Sequence, residues 1–221
     1  THRRPLPRLD GGEVAPGGLP ITLRVLGRGN VGNAALAAVA GLCLGYSPEQ
    51  VAGALEAFEA PWRRMQVVYR GDFTVLDDTV GHPDSISAVF DLVRQCRYRR
   101  LHVVYAIRGR RGTEINHRDA QSVAIWSRCV PIATMIVTAS EDAADEANRV
   151  APEERAAFLK ALRADGLAHV YRARLSDAIE TVLEAVGTGD LILLLGAQGM
   201  DRGGSELLAR LGDVERIGDG R

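Results

Sequence analysis

From Met65 onward, short apolar runs alternate with segments of helical periodicity, and this alternation restricts the chain more than any other feature. The runs are Met65–Tyr69, Phe73–Leu76, Leu101–Ile107, Pro131–Val137, His169–Tyr171 and Leu191–Leu195. The last is wholly apolar and sits between Gly189 and Gly196. Helical patterns fill the gaps: Ser85–Gln95, Asn116–Arg128, Pro152–Ala164, Ser176–Val186 and Ser205–Leu211, with Thr138–Asn148 as an acidic loop holding a short helix. Strands with no polar face must be covered on both sides, and the intervening helices supply the cover. The expected architecture is α/β, a mostly parallel sheet between helical layers.

The first 62 residues read differently. Thr1–Leu19, rich in Arg, Pro and Gly, is expected to be a loose leader or the tail of something upstream, and Ile21–Leu26 a strand. Gly27-Arg28-Gly29-Asn30-Val31-Gly32-Asn33 then opens an Ala/Leu-rich helix to about Leu44. Gly45 ends it, since glycine tolerates the left-handed cap. Ser47 caps a second helix, with Pro48 at its first position and Gln50 completing a capping box. The spacing of Gly27, Gly29 and Gly32 matches the dinucleotide-binding G-x-G-x-x-G. That fingerprint needs a second strand ending in an acidic residue, and Tyr46–Phe58 reads as a helix, so a nicotinamide enzyme is discounted. A boundary near residue 62 separates this helical piece from a Rossmann-like domain over 63–221.

Bulk properties narrow the function. A formal net charge of -1 gives no electrostatic case for nucleic acid or a membrane surface. Three widely spaced cysteines argue against a disulfide framework or a zinc site and for a reducing, cytoplasmic compartment. No signal peptide and no apolar run of spanning length is visible. Lys160 is the only lysine, in an amphipathic helix where a solvated surface role is expected.

Chemistry concentrates between Pro61 and Ser85. Arg64 precedes a strand, and the next strand ends in Asp77 and Asp78 before Pro83 opens a helix. Carboxylates at a strand end ahead of a helix are a usual ligand position in open α/β sheets. Taken in order, Gly27–Ala37, Pro61-Trp62-Arg63-Arg64-Met65-Gln66 and Asp77-Asp78-Thr79-Val80-Gly81-His82-Pro83 resemble the Mur ligase family. Its motifs there are G-x-H-N-x-x-N-x-x-A-A, a P-G-R-M-E-like step and D-D-Y-A-H-N-P, and the likeness runs from about Ile21 to Gly199. It implies that 1–62 ends a central ATPase domain and that 63–221 is the C-terminal domain of an ATP-dependent amide ligase, one that works through an acyl phosphate and releases ADP. Under it, Asn33 contacts the adenine, Asn30 supports the turn, Arg64 reaches the phosphates with its planar guanidinium, and Asp78 holds the ribose hydroxyls. ATP and Mg²⁺ are the implied cofactors, with the Mg²⁺ ligands outside this chain. The implied partners are the N-terminal and central domains, an amino acid and a carboxylate acceptor. Thr79 and Gly81 replace the family's Tyr and His, and no G-x-x-x-x-G-K-[ST] loop is present. The chain alone is therefore expected to be inactive; a non-catalytic nucleotide- or amino-acid-binding domain is the alternative.

Several further residues carry two readings. Arg108–Gly112, with Arg110 and Arg111, is either a clamp for a carboxylate or phosphate or a solvated basic turn. Gln198, in Gly196–Gly199, lies near the incoming amino acid in the family or in a tight turn. His82 is a substrate contact or a structural residue at a helix start. Ser140–Asp142 is expected as an exposed acidic loop and Asn116 as a helix cap. Cys43, Cys96 and Cys129 are expected to be buried small residues, and Trp62 to pack at the hinge.

Overall fold

The computed structural model describes residues 1–212; the last stretch of the second expected domain, 213–221, lies outside them. Contacts divide the chain into two compact units, Thr1–Pro61 and Trp62–Arg221.

The first unit holds β1 (Leu6–Pro7), β2 (Glu13–Val14), α1 (Arg28–Cys43) and α2 (Pro48–Glu56). Helix α1 stops as Gly45 takes φ 97°, with the Tyr46 N–H donating to the Gly41 carbonyl. At α2 the capping box forms in full: Ser47 Oγ accepts from the Gln50 N–H and Gln50 Oε1 from the Ser47 N–H. Ala38, Leu42 and Val51 form a small core that Leu6, Val14, Leu19 and Ile21 flank. Two expectations fail here. Thr1–Leu19 is not a loose leader: β1 and β2 pair antiparallel, and Leu6 and Val14 pack on the helices. Ile21–Leu26 is not a strand; its alternation meets no partner ladder, and Ile21 serves as a packing residue instead.

The second unit runs β3 (Gln66–Arg70), β4 (Thr74–Asp78), α3 (Pro83–Val93), β5 (Leu101–Ala106), α4 (Thr113–Ser127), β6 (Ile132–Thr138), α5 (Pro152–Ala164), β7 (Val170–Arg172), α6 (Leu175–Ala185), β8 (Leu191–Gly196) and α7 (Gly203–Leu211). The six strands lie in the order β3-β4-β8-β5-β6-β7, parallel except for β3. Each face has its own core. Alternate residues of β8 show the division: Leu191, Leu193 and Leu195 face α3, α4 and α5, while Ile192 and Leu194 face α6 and α7. The fold is therefore the expected Rossmann-like α/β sandwich.

Because β8 inserts between β4 and β5, the helix that follows β8 leaves on the opposite face from those that follow β4 and β5. Such a switch opens a crevice at the carboxyl ends of the strands. Register sets those ends level: Asp78 pairs with Leu195, and Ala106 with both Gly196 and Thr138. At the opposite edge a single buried carboxylate, Asp190, accepts from Arg99, Arg100, His102 and the Gly187 N–H. Burial would raise its pKa, but these hydrogen bonds hold it well below the usual carboxylate range.

Candidate functional site

Four loops gather at the carboxyl edge, after β4, β5, β6 and β8. The approach to β3 is unusual: Arg63 and Met65 both hold left-handed backbone, φ 54° and 50°, a conformation that costs non-glycine residues energy and tends to mark functional segments. The two arginines there part company. Arg63 is fully buried. Its Nε donates to both oxygens of Asp77 at 3.0 Å, Nη1 to the Ala197 carbonyl at 2.9 Å and to Asp201 at 2.5 Å, and Nη2 to the Gly196 carbonyl at 2.6 Å. Arg64 is exposed, with one bond from Nη1 to the Thr79 carbonyl at 3.0 Å.

The paired aspartates divide in the same way. Asp77 belongs to Arg63. Burial pushes its carboxyl up to about 6 against the pull of that guanidinium, which leaves it ionised at neutral pH. Asp78 accepts the Met65 N–H through Oδ2 at 2.7 Å, while Oδ1 accepts no hydrogen bond among the described residues. Its pKa is raised by burial, with the Met65 N–H and Arg64 opposing. A carboxylate with one oxygen committed and one uncommitted, beside an exposed guanidinium, can take a hydroxyl-bearing anionic ligand. Asn30 and Asn33 lie in α1 of the first unit. Asn30 Nδ2 donates to the Leu26 carbonyl at 2.6 Å, and Asn33 is exposed.

His82 is the N-cap of α3, exposed, its Nδ1 accepting from the Asp84 N–H at 3.3 Å. Next to it, Arg108 lies against Gly81, close enough that a Cβ there would come within 2.9 Å of the guanidinium. Asp119 of α4 is buried, and its Oδ2 accepts from the Tyr105 hydroxyl at 3.3 Å. Gln198 is exposed at the start of a short 3-10 turn after β8. Gly196, whose carbonyl receives Arg63, has φ 129° and sits where a Cβ would come within 2.5 Å of the Ala106 carbonyl. No side chain fits there.

The loop after β5 is built from inside. The N–H groups of Arg110, Arg111 and Gly112 all donate to the Glu154 carboxylate, at 3.1, 2.8 and 2.7 Å. Glu154 also takes the Ala151 N–H at 3.0 Å, and these backbone bonds overcome its burial to lower its pKa. Arg110 and Arg111 themselves are exposed. Beside them a groove of ≈ 780 Å³ is lined by Arg110, Thr113, Glu146, Arg149, Pro152 and Glu153. The backbone amides here cannot clamp a ligand anion, because a side chain already fills them; that leaves the exposed guanidinium groups, of which Arg110 donates through Nη2 to the Glu146 carbonyl at 3.4 Å.

Other expectations change with the geometry. Asn116 is not the helix cap. Gly112 opens α4, and Asn116 Nδ2 donates to the Arg108 and Gly112 carbonyls. Ser140–Asp142 is not an exposed acidic loop: Ser140 is buried, and Asp142 caps α6 by accepting from Leu175 and Ser176. Helix α6 begins at Leu175, one residue before the expected Ser176. Of the cysteines, Cys43 and Cys96 are half-buried and Cys129 is exposed. Sequence reasoning missed Arg63, Glu154 and Asp119. Of the three, only Glu154 carried a signal, as the third residue of a helix opened by Pro152.

The family model described as Mur ligase, glutamate ligase domain, matches residues 63–198. The chain belongs to the Mur ligase family. A UDP-N-acetylmuramate--L-alanine ligase of Solibacter usitatus is 29% identical over 193 residues, covering 86% of this chain and 39% of the relative. The crystal structure of a UDP-N-acetylmuramate-alanine ligase from Thermotoga maritima superposes with a TM-score of 0.66 at 19% identity, over 86% of this chain and 39% of the other. A folylpolyglutamate synthase of Mycobacterium tuberculosis, solved with ADP and AMPPCP, gives 0.63 at 18% identity, over 89% and 43%. This Mur ligase chain thus spans about two fifths of the length of the relatives it matches. Among the described residues no three His, Cys, Asp or Glu side chains gather as a metal-holding group, and no helix is long and apolar enough to cross a membrane.

Proposed function

We propose that this chain is the C-terminal portion of an ATP-dependent ligase that joins a carboxylate acceptor to an amino acid. The acceptor carboxylate takes the γ-phosphoryl group, ADP leaves, and the amine then displaces phosphate from the acyl phosphate to give the amide. Catalysis of this kind is mostly positioning and charge neutralisation, which suits a face made of fixed loops and guanidinium groups. Asp78 would hold the ribose through its open oxygen and Arg64 the phosphates. Asn30 and Asn33 would meet the adenine end. Arg110, Arg111, His82 and Gln198 would face the substrates. The observation that carries this reading is the pairing of Asp78, with one carboxylate oxygen uncommitted, and the exposed Arg64 at the carboxyl edge of the sheet.

The phosphate loop and the Mg²⁺ ligands would come from central-domain segments like those of the longer relatives. The first unit fits the end of such a domain: its α1 leaves Val31, Leu36 and Val39 exposed, side chains that a further layer would cover. We propose that this chain alone binds ATP weakly and does not turn it over, since its only lysine, Lys160, lies in α5 and no phosphate loop is present in its sequence. The acceptor would be a peptidoglycan precursor, as the relatives' names suggest, or a polyamino acid of the cyanophycin type.

Isothermal calorimetry with ATP tests the nucleotide assignment. Asp78→Asn keeps an acceptor for the Met65 N–H, and Arg64→Ala removes only one backbone contact. Weak binding by the wild type that both variants lose supports the site; equal heats from all three proteins would remove it.

A further inference from the structure

The loop from Arg108 to Gly112 is held far more firmly than a surface turn requires. Glu154 collects three consecutive N–H groups from below, and Asn116 binds the Arg108 and Gly112 carbonyls at 3.0 and 3.1 Å. Both side chains are buried. Gly109 rests on the chain at 148–149, where a Cβ would come within 2.3 Å of the Asn148 and Arg149 carbonyls. Arg110 is bent into the left-handed region, φ 57°, and Gly112 into φ 83°. Consecutive amides pointing into one hollow form an anion-binding nest. Here the anion is a carboxylate from α5, more than forty residues away in sequence.

An exposed turn satisfies its N–H groups with water at no cost. Burying a carboxylate is expensive unless every lone pair finds a donor. A buried carboxylate and a buried amide committed to this five-residue loop therefore serve to fix its shape, and the groups that shape presents are the guanidiniums of Arg110 and Arg111. Bidentate contact to a carboxylate depends on where the fork is held. We propose that Glu154 is the positioning residue of this basic loop, setting the backbone from which Arg110 and Arg111 meet the carboxylate of the amino-acid substrate. The proposal rests on the reading of those two arginines as substrate contacts.

The test uses the isotope-labelled 221-residue chain with L-alanine as probe, followed by amide shifts in NMR spectra. Three variants are compared with the wild type: Glu154→Ala, Glu154→Gln, and the double change Arg110→Ala with Arg111→Ala. Glu154→Ala is expected to shift the Arg110, Arg111, Gly112 and Ala151 amides and to weaken L-alanine by about tenfold or more, because an unfixed loop must be ordered on binding. Formate, small enough to refill the nest, is expected to restore both the amide shifts and the affinity. Glu154→Gln, which offers one acceptor oxygen in place of two, is expected to fall between.

Wild-type affinity in Glu154→Ala, with affinity lost in the double arginine variant, overturns the proposal and leaves the arginine reading standing. Formate that restores the amides but not the affinity also overturns it. Wild-type affinity in the double variant, or no binding of L-alanine by the wild type, removes the arginine reading and the proposal together. Loss of the folded spectrum in both Glu154 variants assigns Glu154 to stability alone and overturns the positioning role.

Discussion

Asp119 carries its charge in a place that resists it. Tyr105 donates to one oxygen, while the other, Oδ1, is buried and has no partner among the described residues. Burial pushes its pKa up to about 6, with the Tyr105 hydrogen bond and the charges of His82, Arg108 and Arg111 pulling the other way. An unfolded aspartate ionises near ~4, so between that value and the folded one the native state binds more protons than the unfolded state. The stability from this group is therefore complete below the unfolded pKa and lost as pH rises through about 6. Asp119→Asn removes the dependence. Its stability gain over the wild type should be roughly 2–3 kcal/mol at about pH 8 and nearly vanish at about pH 3, measured by urea denaturation at both. A difference that stays constant with pH would contradict this account of Asp119. Single residues were also where sequence reading failed most. Arg63 and Arg64 are neighbours of one type, and nothing local says which turns inward. The left-handed backbone at Arg63 and Met65 decides it, and no residue preference announces that conformation in arginine or methionine.

Elements are joined at the site by the Arg63 guanidinium, which ties the approach to β3, the end of β4 and the loop after β8. Removing one partner of a buried pair leaves the other charge uncompensated. Arg63→Ala should therefore cost about 3–5 kcal/mol in urea denaturation. Arg63→Lys keeps the charge but not the planar fork, and should recover only part of the loss. A cost below about 1 kcal/mol, the range of exposed pairs, would show that the clasp is not what holds these loops. Elements whose signals are local were legible in the sequence. Helix α5 begins and ends where Pro152–Ala164 was expected, and the Ser47–Gln50 capping box forms. Elements settled by distant partners were not. Asp142 caps α6 from another loop, across 33 residues, and Ile21–Leu26 alternates like a strand but finds no ladder to join.

At the scale of the molecule, the alternation of apolar runs and helical segments was enough to specify a mostly parallel sheet covered on both faces. The insertion of β8 between β4 and β5 was not readable, because strand order depends on crossovers that composition does not encode. That insertion is what brings Gly196 beside Ala106 and delivers the β8 loop to Arg63. Family membership fits the ordered motifs, each of them modest alone. Chemical-shift mapping of ATP on the labelled chain tests the nucleotide face most directly. The account predicts perturbations at Arg64, Asp78 and Thr79–Gly81, with Arg99, Arg100 and Asp190 at the opposite edge unmoved. Perturbations confined to that opposite edge, or none at Asp78 and Arg64 at saturating ATP, would contradict it.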